Sequence, residues 1–304
     1  MQDFSIAEAG TEGFRLARER PVAIAFWAVA QLIYGLVTIT ILVGIGGTAL
    51  ADLQAASASG DQAADPAVAL AAMRKIAPAY GLVMIAALLF FSVLITAAMR
   101  AVLKPQEDRL GYMRFGADEL RVMVVMLIIG VLMFLAYLGM VLVGAIVMGV
   151  LAASAGPVGG GIGAAILIVG VLLGVGWLWS RLSLAPAATL AKGTVDAFGS
   201  WELTRGKAGK VFATNALAFA LNLLVVLLGF AIFMGVAAVV GGSSGAVSAI
   251  MKPDMSSLGA YFTPLTILYT VMMSIVGAMG SAIMMCPPAV MYRELAGDTL
   301  QEVF

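Results

Sequence analysis

Hydrophobic side chains make up 62% of this 304-residue chain and charged ones 11%, less than half the charge of an ordinary soluble domain. Seventeen lysines and arginines balance seventeen aspartates and glutamates, which leaves no electrostatic footprint for a nucleic-acid role. Histidine is absent, removing the commonest general base, proton relay and metal ligand, and the single Cys286 offers neither an internal disulfide nor a metal set.

The first twenty residues mix Asp3, Glu8, Glu12 and Glu19 with Arg15, Arg18 and Arg20, unlike a secretory leader. Five charge-free stretches follow: Val22–Ala51, Ile76–Met99, Val122–Ser180, Val211–Met251 and Met255–Tyr292. A helix crossing a bilayer needs roughly 20 apolar residues, so each is long enough, and the third is long enough for two. Within the third, residues 154–161 contain Gly156-Pro157 and the run Gly159-Gly160-Gly161, a good turn and a poor helix. Backbone facing lipid must hydrogen-bond internally, so that turn is expected at a membrane surface. The reading is an all-α integral membrane protein with six spans near 22–48, 78–99, 122–149, 163–185, 211–239 and 264–290. They form three hairpins in a single transmembrane domain over 1–304, with no soluble domain.

Basic residues set the orientation. Three lie before the first span, five between Arg100 and Arg121, five between Arg181 and Lys210, and one at Arg293; only Arg74, Lys75 and Lys252 lie on the other side. The fourteen-to-three bias places both termini in the cytoplasm. The outer segments 52–75, 154–162 and 240–262 are small-residue loops. Each odd span is preceded by an aromatic and basic segment, expected as a short interfacial helix: Gly13–Arg20, Arg114–Arg121 and Trp201–Lys207. Each even span ends in small residues and a base, at Arg100, Arg181 and Arg293.

No charge lies deep in a span, so no ion-coupling carboxylate and no intramembrane catalytic set can be assembled, and the chain is expected not to be an enzyme and to need no cofactor. Neutral polar residues remain. Gln31, Tyr34 and Thr38 share a helical face, as do Asn215 and Asn222, and Ser274 lies in the sixth span. They are candidates either for hydrogen bonds between helices or for the lining of a solute path. Arg109, Arg114, Trp201, Arg205 and Lys207 form the candidate cytoplasmic rim, able to meet a membrane or cytoplasmic protein partner or lipid headgroups. Gly170 and Gly174 form a GxxxG that could pack a neighbouring helix, within the chain or in a homo-oligomer. Cys286-Pro287-Pro288 is expected to kink or end the sixth span, with Pro78 and Pro186 marking the ends of others.

The segments Phe14 to Arg20, Ser200-Trp201-Glu202-Leu203-Thr204-Arg205-Gly206-Lys207 and Tyr292-Arg293-Glu294-Leu295 resemble a loose superfamily of bacterial six-span proteins. It includes the YciC-like membrane proteins and the membrane domain attached to some glycerophosphoryl diester phosphodiesterases. The resemblance implies a multi-pass protein of the bacterial inner membrane. It implies no activity, because this chain carries no phosphodiesterase domain. The functional expectation is an envelope scaffold, regulator or lipid organiser; the alternative is a transporter or channel for a small neutral or lipidic solute.

Overall fold

The computed structural model describes residues 4–58, 66–241 and 253–297, whose regular elements are all helices, without a strand. Predicted loop features at 59–65 and 242–252, Lys252 among them, lie outside the described residues.

Helix α1 (Ile6–Glu19) starts where the Ser5 hydroxyl accepts a hydrogen bond from the Glu8 amide, and stops at Arg20, before Pro21 opens α2 (Pro21–Ala58). Its buried stripe is Ala9, Gly10, Gly13 and Leu16, with Glu12 beside them. A Cβ on Gly13 would lie 2.5 Å from the Cα of Ile283, and one on Gly10 would strike Leu217. The small residues therefore seat α1 in a groove of the bundle, with Arg15 and Arg18 facing outward.

Helix α3 (Pro66–Leu103) begins twelve residues before Pro78, which it absorbs. After a tight turn at Arg109–Tyr112, α4 (Ala117–Leu182) follows, with Asp118 and Glu119 at its positive N-terminal end. Only Ala155 and Gly156 leave helical geometry, Gly156 with φ +60°. There the chain folds back: Gly163 meets Met148, Gly144 meets Leu167, and Gly174 meets Met140. The expected turn is thus two residues long, and Gly159–Gly161, expected to be part of it, are helical. Pro157 can open the second arm because it needs no N–H there, and glycine propensity counts for little where the backbone has no other partner. Gly174 is occupied by the opposing arm, while Gly170 faces open space.

Short helices α5 (Ala185–Lys192) and α6 (Gly199–Leu203) precede α7 (Ala208–Gly241). The one-turn α8 (Leu258–Tyr261) leads to α9 (Pro264–Ala296), which opens with a capping box between Thr263 and Thr266. Pro287 and Pro288 neither end nor break α9, contrary to expectation. Both are buried in the central helix of the bundle, packed by α1, α2, α3, α5 and α7. That packing outweighs two missing N–H groups. The three expected pre-span helices also differ: α1 is complete, the second segment runs directly into α4, and the third is α6 and a turn.

Among the described residues, five helical stretches are long and apolar enough to cross a membrane: Pro21–Asp52, Met73–Leu103, Arg109–Lys192 (which contains both arms of α4), Ala208–Val239 and Pro264–Ala296. The largest buried core lies at one end of the bundle. Leu16, Trp27, Leu94, Met99, Tyr112, Leu184, Leu190, Val211, Met291 and Tyr292 gather there. Away from that end the helices expose large apolar side chains, such as Met84, Leu142 and Leu172.

Candidate functional site

The four basic segments of the sequence meet at this packed end. Arg20, where α1 hands over to α2, pairs with Asp108 at 3.0 Å. The C-terminal turns of α9 lie beside α5 and α6: Lys192, Gly199, Leu203, Lys207, Tyr292 and Leu295 line one cavity of about 350 Å³. Arg293 reaches back to the carbonyl of Val102.

At the centre of one half is Arg100, in the last turn of α3 and wholly inaccessible to solvent. Its guanidinium donates to the carbonyl of Tyr112 at 2.6 Å and to Glu119 Oε1 at 2.6 Å. Glu107 lies 3.5 Å away and Asp118 3.7 Å away. Arg114 joins Glu107 at 2.8 Å, and Arg121 joins Asp118 at 3.0 Å. Three arginines thus meet three carboxylates. The loop carrying them is bent sharply: Leu110, Gly111 and Tyr112 all have positive φ, between 50° and 66°. It is held against α2 by Trp27, whose indole N–H donates to the Gly111 carbonyl at 2.7 Å.

In the other half, Gly193 ends α5 with φ +64°, and Lys192 pairs with Asp196 at 2.6 Å. Asp196 also accepts the Gly199 amide at 2.7 Å, fixing the start of α6. Burial pushes the Asp196 carboxyl up, but the Lys192 ammonium and the Gly199 N–H outweigh it and hold the group below the usual carboxylate range. The Ser200 hydroxyl donates to the Arg181 carbonyl at 2.5 Å, tying α6 to the end of α4. Arg181 lies against Trp201, 4.4 Å from its ring centre, and 5.9 Å from that of Trp177.

Of the predicted rim, Arg109 and Arg205 are exposed, Arg114 belongs to the Arg100 network, Trp201 packs edge-on against Trp177, and Lys207 lines the cavity beside α9. The predicted polar residues go to different places. Gln31 donates to the Ser281 hydroxyl at 2.8 Å, bonding α2 to α9. Asn222 abuts α9 at Gly280 with its Oδ1 buried and unpaired. Tyr34 stacks on Phe90 at 4.4 Å, and the hydroxyl of half-buried Thr38 is buried without a hydrogen bond. Ser274 bonds back to the Thr270 carbonyl at 2.7 Å. Asn215 donates instead to Ser183 at 3.2 Å and faces a cavity of about 540 Å³ between the second arm of α4 and α7. That cavity is walled mainly by apolar groups such as Leu172, Val175, Phe212 and Phe219.

Sequence reasoning did not single out Arg100, Glu119, Trp27 or Arg181 as built into the interior. The available signal was the base recurring at the end of each even span. Among the described residues no three His, Cys, Asp or Glu side chains are grouped to hold a metal ion. No protein-family model matches the chain, and neither a curated protein nor a solved structure is found that is similar to it.

Proposed function

We propose that the chain crosses a bacterial inner membrane six times as three hairpins, with both termini in the cytoplasm, and serves there as a non-enzymatic scaffold or regulator. The YciC-like resemblance belongs to the same proposal. Its working surface is the packed basic end, offered to a protein partner or to lipid headgroups through exposed residues such as Arg109 and Arg205. One observation carries this reading: Arg20–Asp108, Arg100–Glu119 and the Arg293–Val102 contact knit the N-terminal helix, the first basic connection and the end of α9 into one cap, and the second basic connection shares a cavity with the end of α9. A cap of this kind fixes the relative positions of charges that the spans alone would leave to loops. The fold-back at Ala155-Gly156 supports two crossings within α4, and the basic bias supports the orientation. The apolar cavity beside Asn215 favours the second reading, a path for a lipidic solute.

Reporters fused after Arg109, Gly160 and Lys207 should show the cytoplasm, the periplasm and the cytoplasm; a cytoplasmic signal at Gly160 would remove the second hairpin. In proteoliposomes holding a fluorescent phospholipid, exposure of the label to an external quencher should be no faster than in protein-free vesicles. Acceleration would move the assignment to lipid transport.

A further inference from the structure

We propose that Arg181, set between Trp177 and Trp201, binds the phosphate of a phospholipid. The proposal rests on the membrane reading above, though not on which way the chain faces.

Arg181 is 7% exposed, yet among the described residues it meets no carboxylate within 4 Å and donates no hydrogen bond; its Nε is buried without a partner. Its surroundings are two indoles, perpendicular to each other with ring centres 5.5 Å apart. Taking a guanidinium out of water is costly, and cation–π contacts return only part of that cost. An anion is the group that closes the difference. Arg100 makes the same point: it occupies the equivalent place at the end of α3 and is surrounded by Glu107, Asp118 and Glu119. At the end of α4 no acid among the described residues occupies that role.

The location names the anion. Trp177 and Trp201, in edge-on contact at this end, are exposed, as is Trp179 two residues on, making three of the four tryptophans in the chain. Indoles concentrate at headgroup depth, where the abundant anion is a lipid phosphate. A guanidinium presents parallel N–H groups that match two phosphate oxygens, which an ammonium does not. Trp177 and Arg181 are four residues apart and share a face of α4. Neither they nor Trp201 line the apolar cavity beside Asn215, although their neighbours Gly176, Trp179 and Ser180 do. Ser200 fixes the Arg181 backbone, and exposed Arg205, four residues beyond Trp201, adds positive charge nearby in the chain.

The test uses the intact protein in a nonionic detergent, titrated with phosphatidylglycerol, with diacylglycerol, or with inorganic phosphate. Tryptophan emission and native mass spectrometry are the readouts. Phosphatidylglycerol should bind, diacylglycerol should not, and millimolar phosphate should not compete. Arg181→Gln should weaken phosphatidylglycerol about tenfold, the loss of one charged hydrogen-bond pair. Arg181→Lys should recover part of the affinity, which separates loss of the fork from loss of fold. Trp201→Ala should weaken binding as well, while Lys75→Gln, exposed near the opposite end of α3 from Arg100, should not. Equal binding by wild type and Arg181→Gln overturns the proposal. Competition by free phosphate overturns the lipid as its source. Failure of the membrane reading looks different: the protein would stay monodisperse without detergent.

Discussion

Arg100 and Arg181 stand at corresponding places, each closing a long apolar helix and each taken almost wholly out of water. Arg100 is answered by carboxylates from its own chain, Arg181 by two indole faces. The first arrangement is self-contained and locks the end of α3 to the α3–α4 connection and the start of α4. The second is incomplete in the polypeptide alone. The difference teaches that burial of a base at a helix end has two solutions, one that belongs to folding and one that leaves a vacancy for chemistry from outside.

The largest effect that could break this comparison is on stability. Arg100→Met strands Glu119, itself 1% exposed, without its cation. Breaking one side of a buried pair costs about 3–5 kcal/mol. Arg181→Met strands no acid, loses cation–π contact worth about 0.5–2 kcal/mol and gains an apolar fit between indoles. In detergent the melting midpoint should fall steeply for the first and little for the second. The double change Arg100→Met with Glu119→Leu should recover part of the loss. Equal losses for Arg100→Met and Arg181→Met would show that Arg181 too has its counter-charge within the chain.

The sequence reveals one side of this contrast and hides the other. Charge-free runs disclose the long helices because a chain in lipid has no alternative way to satisfy its amides. The recurrent base after each even span is visible as a pattern. Its environment is not, because whether Arg100 faces water or Glu119 depends on a loop whose bend at Leu110–Tyr112 has no motif a reader would recognise. The punctuation residues mislead for the same reason. Pro287-Pro288 and Gly159–Gly161 are read by their local preferences, and tertiary packing in one case and the lack of any other amide partner in the other override them. Among the polar residues, Gln31 finds Ser281 and Asn215 finds Ser183, so a shared helical face does not imply a shared destination.

A smaller effect sharpens the same contrast through two glycines. Gly111 in the Arg100 loop and Gly193 before α6 both have φ +64°. A Cβ at Gly111 would lie 2.9 Å from the Cβ of Phe26 and 3.1 Å from the Ala23 carbonyl oxygen, whereas one at Gly193 meets nothing within 4 Å. Gly193→Ala should cost about 1 kcal/mol, the left-handed backbone alone. Gly111→Ala adds a collision with backbone and should approach about 3 kcal/mol. Thermal unfolding of the two variants side by side measures the difference. Equal losses would mean that the Arg100 loop can back away from α2, and that its lock is looser than the Trp27–Gly111 bond implies.

The smallest effect is one of pH, confined to the Arg181 half. Asp196 is held below the ordinary carboxylate range, against the opposing effect of its burial, by Lys192 and by the Gly199 amide. A carboxyl with a lowered folded-state pKa lends stability that is fully present above its unfolded value of about 3.9 and is lost as pH falls through the folded value. Acidification below about pH 4 should therefore release the start of α6. Trp201 would then move relative to Trp177, changing tryptophan emission. Asp196→Asn keeps an acceptor for Gly199 but gives up the charge facing Lys192, so its emission should no longer titrate there. If the transition survives that substitution, another acid governs the position of Trp201, and α6 is held by Ser200 and its packing on α4 rather than by the Lys192–Asp196 pair.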